Sequence, residues 1–369
     1  MNKELSLISL IFNPDHTPEA RQRLENIIEQ GLDWDYIFKI IVLSDIAPLT
    51  CYYLSRLKNN NIPDWFMQKL NDNRNNTITA NMFLWKNLRG VLQGFDKENI
   101  PAILLKGAFM SDIIYENIAM RSLVDIDIMV KEKDLLKIDA ILKNNSYAKI
   151  KEYPGEILYK KETGVLYDKL PIEIHYKLRL PSEILILSDF LWNNPIIKET
   201  NGLKMLYPSI ENSLIYSALH FFHHLSEVFM WHCGFPGIKS ILDIHEIITI
   251  KNDCINWKYI TGFSKRYKTR HILYLSLLLS KLYFGTRIPE NFMRSLKPNF
   301  IKKMLVRFWM KDYIDIQTSK NTICARIQAQ FTCLMLMENC PPRCFLRTLS
   351  RIYKLIFIKN AYKRNNPDL

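Results

Sequence analysis

The sequence predicts an α+β protein in which a small mixed sheet lies between an N-terminal helical region and a C-terminal all-helical domain. Before residue 98 and again after residue 208, apolar residues recur at spacings of three and four, which is typical of amphipathic helices. Between these regions, short apolar runs and alternating segments indicate strands. The chain has 369 residues but only 11 glycines, which argues against a loop-rich all-β architecture.

This patterning divides the chain into three regions, with bounds at 1–97, 98–205 and 206–369. In the first region, helices are predicted over residues 19–30, 34–57 and 75–95, and asparagine-rich runs separate them. In the last region, the clearest helices are predicted over residues 211–227, 238–250, 253–264, 270–284 and 300–314. A basic amphipathic helix is predicted over residues 345–362.

The middle region is predicted to form strand, helix, strand and helix, followed by further strands. Residues 100–105 are a short apolar run, consistent with a buried strand. Residues 124–130 alternate strictly between apolar and other residues, and residues 172–176 alternate again. An amphipathic helix is predicted over residues 132–144. Two strands, at 156–161 and 165–168, flank a short hairpin connection that contains glycine.

The composition and the charge restrict the class of protein and its partners. Hydrophobic residues make up 48% and charged residues 24%, which excludes wholesale disorder and a fibrous class. The net charge of +13 favours an anionic partner, either a nucleotide, a nucleic acid or a membrane surface. Residues 258–369 contain 22 basic and 5 acidic residues, so the excess lies in the C-terminal third. The alternative is a solvated basic face on helices.

The seven cysteines are odd in number and form no CxxC pair, so a disulfide framework is not expected. The N-terminal apolar stretch is short and has no small-residue cleavage site, so no signal peptide is expected. No uncharged apolar run reaches about 18 residues, so no transmembrane helix is expected. These observations favour a cytoplasmic protein.

Three acidic residues on predicted strands form the candidate metal site. Asp125 and Asp127 are two residues apart on one strand, so their side chains share a face. Two carboxylates at that spacing repel each other unless a cation binds between them, and Mg²⁺ binds carboxylates together with substrate phosphates. Glu173, on a later strand, is an acid between isoleucines. A third carboxylate would complete a two-metal site for phosphoryl or nucleotidyl transfer.

Lys106 and Gly107 follow the first predicted strand and precede a helix. Glycine lets the backbone approach a phosphate, and the N-terminal end of a helix favours anions. Lys106 adds a positive charge, so the pair is predicted to bind phosphate. The alternative for Lys106 is a surface lysine at the end of a strand.

Three segments together resemble the uncharacterised nucleotidyltransferase family of the polymerase-β-like superfamily: 104–108 (LLKGA), 121–130 (RSLVDIDIMV) and 172–175 (IEIH). The similarity extends to the stretch ending at residue 100 and to a later one around His220, His224 and Asp243. It covers residues 20–250. The resemblance implies that the middle region is a nucleotidyltransferase core. It also implies transfer of a nucleoside monophosphate from an NTP co-substrate to an acceptor, with release of pyrophosphate.

The resemblance assigns roles to the matching residues. Asp125 and Asp127 would hold two Mg²⁺ ions, and Glu173 would either help to hold the metal or serve as general base. Arg121 would either steer the triphosphate or brace the acidic strand, and a salt bridge to Asp125 or Asp127 is the alternative. The superfamily usually has Gly-Ser or Gly-Gly in this turn, whereas here Ala108 follows Gly107.

Histidines supply further candidates. His175 lies two residues after Glu173 on the same predicted face, where it either contacts the cofactor or substrate or orients Glu173. His220 and His224 have the i, i+4 spacing of some zinc sites, but the companion glutamate of the zinc-protease motif is absent. The second interpretation is that they are core histidines or residues facing the cleft.

Two functions therefore remain in view. The first is a Mg²⁺-dependent nucleotidyltransferase that acts on an unidentified acceptor, either a small molecule, a peptide or a protein. The second is a non-catalytic binding protein on the same fold, which would bind RNA, a peptide or a protein partner through its basic C-terminal helices.

Overall fold

The computed structural model describes residues 3–13, 18–57, 61–162, 169–178, 188–226, 237–300 and 302. The predicted strand over 165–168, the basic helix over 345–362 and nearly all of the predicted helix over 300–314 lie outside these residues.

The described part of the chain is mostly helical. Its helices are Lys3–Ile11 (α1), Pro18–Ile28 (α2), Trp34–Leu43 (α3), Ala47–Leu54 (α4), Asp64–Lys97 (α5), Lys106–Phe109 (α6), Leu135–Asn144 (α7), Ile210–Ser226 (α8), Ile238–Lys251 (α9), Trp257–Arg266 (α10), Arg270–Phe284 (α11) and Glu290–Leu296 (α12). Helix α6 continues as a π-helical turn over Met110–Ile114. None of the helices in the described ranges combines the length and apolar character needed to cross a bilayer.

The strands of the described residues form one mixed sheet, which confirms the α+β prediction. They are Ile103–Leu104 (β1), Ile126–Met129 (β2), Ala148–Tyr153 (β3), Glu156–Glu162 (β4), Lys169–His175 (β5), Ile196–Thr200 (β6) and Leu203–Tyr207 (β7). Their order across the sheet is β3-β4-β5-β2-β1-β7-β6. Strand β2 is central, parallel to β5 on one side and antiparallel to β1 on the other.

Alternation along the central strands separates an apolar face from a polar one. On β2, Ile126 and Ile128 are fully buried, and on β5 Ile172 and Ile174 are buried beside them. Because side chains alternate along a strand, Asp127 of β2 lies on the opposite face. The isoleucines therefore build the core, and the polar face is left for the site.

Two helix predictions in the N-terminal region were wrong in their bounds. The predicted helix over 34–57 is divided at Asp45, whose backbone φ is +53°, and α4 carries Pro48 in its first turn. Proline lacks the N–H that would continue a helix through this point. Conversely, the asparagine-rich run at 73–76 does not break α5. Phe66 and Leu70 are fully buried in α5, and this packing outweighs the weak helix propensity of asparagine.

A buried asparagine of α5 holds the loop that leads into β2. Asn81 is fully buried, and its Nδ2 donates to the carbonyl oxygens of Ile118 (2.6 Å) and Arg121 (2.8 Å). Its Oδ1 accepts from the backbone N–H of Leu123 at 3.1 Å. One side chain thus satisfies three backbone groups that the loop could not pair by itself.

We expect Asn81→Ala to lower the free energy of unfolding by about 2–3 kcal/mol, because it leaves buried backbone groups of the loop without partners. Urea denaturation checks this. The matched control is Asn26→Ala on α2, where the asparagine is exposed and accepts a hydrogen bond from Gln22, and there we expect a change within about 0.5 kcal/mol. Equal losses in both variants would contradict the role of Asn81.

Candidate active site

The pairing of β2 with β5 brings two of the predicted acids together. The parallel register places Asp127 beside Glu173. Directly opposed residues on neighbouring strands project to the same side, so the two carboxylates share the polar face. Asp125 lies one residue before β2 begins and is half-buried. The prediction placed Asp125 within the strand, whereas the structure begins the strand at the next residue.

Two cationic or potentially cationic groups meet Asp127 at one oxygen. Lys106 Nζ lies 2.6 Å from Asp127 Oδ1, and His175 Nε2 lies 2.8 Å from the same atom. Asp127 is only 2% exposed. Burial alone favours the neutral carboxyl, but the charge of Lys106 and the contacts from His175 and Lys106 outweigh it and hold the pKa of Asp127 well below its usual range. Asp127 is therefore an ionised carboxylate.

The two other acids have the opposite tendency. Burial and then the charge of Asp127 raise the pKa of Glu173 to about 8, against the charge of Lys106. The same two causes, in the same order, raise the pKa of Asp125. Three ionised carboxylates in one partly buried place repel one another, and the single charge of Lys106 does not offset this repulsion. A divalent cation would offset it.

The donor atoms fit such an ion. Asp127, Glu173 and His175 each offer one ligand atom, and these atoms all lie within 4.8 Å of one another. Among the described residues, these three form the group of Asp, Glu, His or Cys side chains that lie close enough to one another to hold a metal ion. Asp125 is not part of it. Carboxylate oxygens and an imidazole nitrogen are ordinary ligands for divalent ions in proteins.

The predicted Lys106–Gly107 turn lies beside these acids. The backbone N–H of Leu105 donates to the carbonyl oxygen of Asp127 at 3.0 Å, which sets the turn against β2. Lys106 has a backbone φ of +45°, a left-handed conformation that is costly for a residue with a side chain. Burial would lower the pKa of Lys106, but Asp127 and its neighbours raise it well above the usual value, so the side chain is an ammonium.

Gly107 is explained by packing in this structure. A Cβ atom at this position would lie 2.7 Å from Leu123 Cδ2, so the end of the buried Leu123 side chain would have to shift. The glycine therefore allows the turn to approach the loop before β2. The predicted contact between Gly107 and phosphate stays a prediction.

Arg121 makes its ion pair with a residue of the C-terminal helical region. Its Nε and Nη2 lie 2.9 and 2.8 Å from the two carboxylate oxygens of Asp243 on α9, and its Nη1 donates to the carbonyl oxygen of Ser122 at 2.8 Å. Both charged side chains are largely buried. Of the roles weighed from the sequence, this geometry favours bracing the acidic strand, with Asp243 as partner in place of Asp125 or Asp127.

A second ion pair lies next to it. Lys239, one turn before Asp243 on α9, pairs with Asp45, and its Nζ is 3.5 Å from the carbonyl oxygen of Ser122. Arg121, Lys239, Asp45 and Asp243 line a cavity of about 10 Å³, which has room for about one water molecule. Sequence reasoning did not single out Lys239 or Asp45. For Lys239 the available signal was a charged residue inside the apolar pattern of α9, whereas Asp45 lies between α3 and α4 and gave no such signal.

The histidines of α8 approach the site from the helical side. His220 Nε2 lies 2.9 Å from His224 Nε2. Burial, and then the charge of Lys106, lowers the pKa of His220 well below its usual value, so this imidazole is neutral. The described residues supply no third metal ligand to the pair, and His232 lies outside them. This geometry argues against the zinc-site interpretation, and the influence of Lys106 on His220 places that histidine near the acids.

A buried glutamate beneath the ion pairs gives the fold a pH dependence. Glu246 of α9 is fully buried and accepts hydrogen bonds from the hydroxyl of Tyr53 at 3.2 and 3.3 Å. Burial raises its pKa to about 8, and the charge of Asp243 adds to this, while the bond from Tyr53 opposes it. Since the ordinary value is 4.5, the folded protein holds this proton more tightly than the unfolded chain does.

We therefore expect the stability of the protein to fall as the pH rises from about 4.5 to about 8, because unfolding releases this proton. The contribution of Glu246 is at most about 1.4 kcal/mol per pH unit. Glu246→Gln keeps an acceptor for Tyr53 and removes the titration, so it should gain stability over the wild type at pH 8 but not at pH 5. Urea denaturation at both pH values measures this. Exposed Glu29→Gln is the control, and parallel profiles for Glu246→Gln and the wild type would contradict the assignment.

The acids on the two central strands and the lysine turn beside them agree with the site expected of a nucleotidyltransferase, and the family match shows that the protein is an enzyme of that type. The chain belongs to the uncharacterised nucleotidyltransferase family, whose model matches residues 30–285. This confirms the resemblance found in the sequence.

Solved structures of two proteins are similar to parts of the chain. One is the solution structure of the antibiotic-resistance factor ANT(2'')-Ia, at 15% identity over 50% of this chain and 92% of that one, with a TM-score of 0.34. The other is the crystal structure of an antigenic nucleotidyltransferase-like protein from Paracoccidioides brasiliensis, at 15% identity over 44% of this chain and 74% of that one, with a TM-score of 0.29. No curated protein matches the chain.

Proposed function

We propose that this protein transfers a nucleoside monophosphate from an NTP to an acceptor and releases pyrophosphate, with a divalent cation held at Asp127 and Glu173. The observation that carries the proposal is the parallel register that sets these two acids side by side on the polar face of the sheet. Mg²⁺ is the ion that the sequence predicts here, because it binds carboxylates together with substrate phosphates. The acceptor is a small molecule, a peptide or a protein, and the reaction takes place in the cytoplasm.

The side chains have distinct parts in this proposal. Asp127 is ionised and supplies the fixed negative charge that attracts the cation. The raised pKa of Glu173, about 8, means that Glu173 would release its proton as a cation binds and would then add its oxygens. The pKa of Asp125 is also raised, and Asp125 would approach the cation from the residue before β2. The bound ion would neutralise phosphate charge and favour the nucleophilic form of the acceptor hydroxyl. Lys106, an ammonium 2.6 Å from Asp127, adds a positive charge beside the carboxylates for the phosphates of the NTP.

Transfer of label from α-³²P-labelled NTPs tests the proposal. The full-length protein is incubated with each of the four NTPs, Mg²⁺ or Mn²⁺, and a panel of hydroxyl-bearing small molecules, peptides and proteins. We expect one combination to acquire label and release pyrophosphate, and Asp125→Asn with Asp127→Asn to abolish this. The control is Asp72→Asn, an exposed aspartate of α5 that accepts a hydrogen bond from Gln68.

Calorimetry separates this proposal from a non-catalytic binding protein. NTP binding that requires the divalent cation and is lost in the double variant supports the enzyme. Salt-sensitive RNA binding with no response to NTP, in the wild type and the double variant alike, would contradict it and favour the binding protein.

A further inference from the structure

His175 lies between carboxylates on both sides of its ring. Its Nε2 is 2.8 Å from Asp127 Oδ1 and 3.6 Å from Glu173 Oε2. Its Nδ1 is 3.7 Å from Glu156 Oε2. His175 is 3% exposed and Glu156 is 5% exposed. The two ring nitrogens therefore have different tasks, because one faces the candidate metal ligands and the other faces a buried acid on the next strand.

The sheet itself creates this arrangement. The antiparallel register of β4 and β5 sets Glu156 directly opposite His175, and the parallel register of β2 and β5 sets Asp127 beside Glu173. All four side chains therefore project to the same face. His175 is the last residue of β5, where its backbone carbonyl oxygen accepts from the N–H of Val130 at 2.8 Å and burial restricts its ring.

The distances on the Nε2 side suit coordination. Two adjacent ligands of an octahedral ion, each at about 2.1 Å from it, are about 3 Å apart. The distances from His175 Nε2 to Asp127 and to Glu173 lie on either side of that value, at 2.8 and 3.6 Å. A small adjustment of Glu173, whose side chain is 23% exposed, would bring it into the same shell.

The second ring nitrogen, Nδ1, faces a carboxylate, as it does at many metal sites. A histidine that binds a metal through one nitrogen usually directs its other N–H to a carboxylate, which fixes the ring orientation and makes the bound nitrogen a better donor. Glu156 is the carboxylate nearest to that nitrogen. Its Oε2 is 3.7 Å from Nδ1, longer than a hydrogen bond, so a small shift of Glu156 would be needed for it to accept the Nδ1 proton.

We propose that His175 is a nitrogen ligand of the divalent ion at this site, positioned by Glu156, and that the site consequently binds a first-row transition ion such as Mn²⁺ more tightly than Mg²⁺. The inference rests on the proposed function and deepens it. Mg²⁺ takes oxygen ligands almost alone, whereas transition ions accept imidazole readily. Glu156 is a positioning residue in this scheme, since it acts through His175.

Mn²⁺ added to the full-length protein is the probe. We expect calorimetry to give a Kd for Mn²⁺ at least about tenfold below that for Mg²⁺. Pulsed electron paramagnetic resonance of the Mn²⁺-loaded protein should show ¹⁴N coupling of a directly bound imidazole. Incorporation of ¹⁵N-histidine should replace this signal by its ¹⁵N counterpart. That measurement needs no substitution, so it holds even where a variant folds poorly.

Variants assign the signal to a residue. His175→Asn should remove the nitrogen coupling and bring the ratio of the Mg²⁺ and Mn²⁺ dissociation constants to about one. Glu156→Gln should retain the coupling but weaken Mn²⁺ binding about tenfold, the size of effect known for carboxylates that support a ligating histidine. The matched control is His271→Asn on α11, where the histidine faces Lys302, and both the coupling and the affinity should be unchanged there.

The outcomes separate the two proposals. Mn²⁺ binding that requires Asp127 but shows no nitrogen coupling overturns the role of His175 and leaves the proposed function standing. Coupling that persists in His175→Asn also overturns it, because another nitrogen would then be the ligand. If neither Mn²⁺ nor Mg²⁺ binds, with or without NTP, the proposed function itself fails.

Discussion

Asp127→Asn is expected to reduce metal-dependent nucleotidyl transfer by about a thousandfold or more. The substitution keeps the shape of the side chain but removes the one carboxylate that is firmly ionised in the site. Lys106 and His175 then lose the anion that they share at Oδ1. Calorimetry should show metal affinity falling by about 100-fold or more, and label transfer from α-³²P-labelled NTP measures the catalytic loss.

The same substitution should change stability much less than it changes activity. Loss of the pair with Lys106 is destabilising, but Asp127 also raises the pKa values of Glu173 and Asp125, so its removal relieves repulsion. Thermal unfolding therefore serves as the check that Asp127→Asn is folded. Exposed Asp72→Asn is the matched control and should retain full transfer. Wild-type transfer by Asp127→Asn would rule out the site described above.

Arg121→Ala is expected to lower the free energy of unfolding by about 3–5 kcal/mol. The substitution leaves Asp243 as a buried carboxylate without its two-point partner, and such a charge is costly in a poorly solvated place. It also removes the closer of the two donors to the carbonyl oxygen of Ser122, three residues before Asp125. Urea denaturation measures the loss. Asp243→Ala should have a similar effect, because it leaves the guanidinium buried.

Two comparisons make this prediction specific. Arg121→Lys keeps the charge but loses the fork that meets both oxygens of Asp243, so we expect it to recover only part of the stability. Combining Arg121→Met with Asp243→Leu removes both charges and should be less destabilising than either single loss. As control, Arg294→Ala breaks a pair with Glu290 in which both side chains are about three-quarters exposed, and we expect a change below about 1 kcal/mol. Similar losses for Arg121→Ala and Arg294→Ala would argue against a buried brace.

Local patterns predicted the elements that are regular over many residues. Alternation identified β2 and β5, and periodic apolar residues identified α7, α8 and α11, because each pattern reflects one face turned toward the core. The boundaries of α5 were missed. A run of asparagines is a breaker by propensity, and only the burial of residues such as Phe66, against other parts of the chain, shows why the helix continues.

The candidate site likewise has features that the sequence predicted and features that it did not. That Glu173 and His175 share a face follows from their spacing of two on one strand, since alternation is a property of the strand itself. Their approach to Asp127 and Glu156 depends on which strands are neighbours and in which register, and no local pattern contains that information. The sequence also raised Arg121 as a phosphate contact or a brace, but it marked Asp243 only as part of the family resemblance and not as the partner of Arg121, 122 residues away.

The sequence by itself thus determined the family, the α+β class and the residue types of the site, because these are recorded in short motifs and in periodicities of two and 3.6. Only the tertiary structure decided which charges meet: Lys106 and His175 at one oxygen of Asp127, Glu156 behind His175, and Arg121 on Asp243. The physical reason is the distance along the chain over which each effect acts. Alternation and helical period act over a few residues, whereas ion pairs and strand register depend on segments that folding brings together from far along the chain.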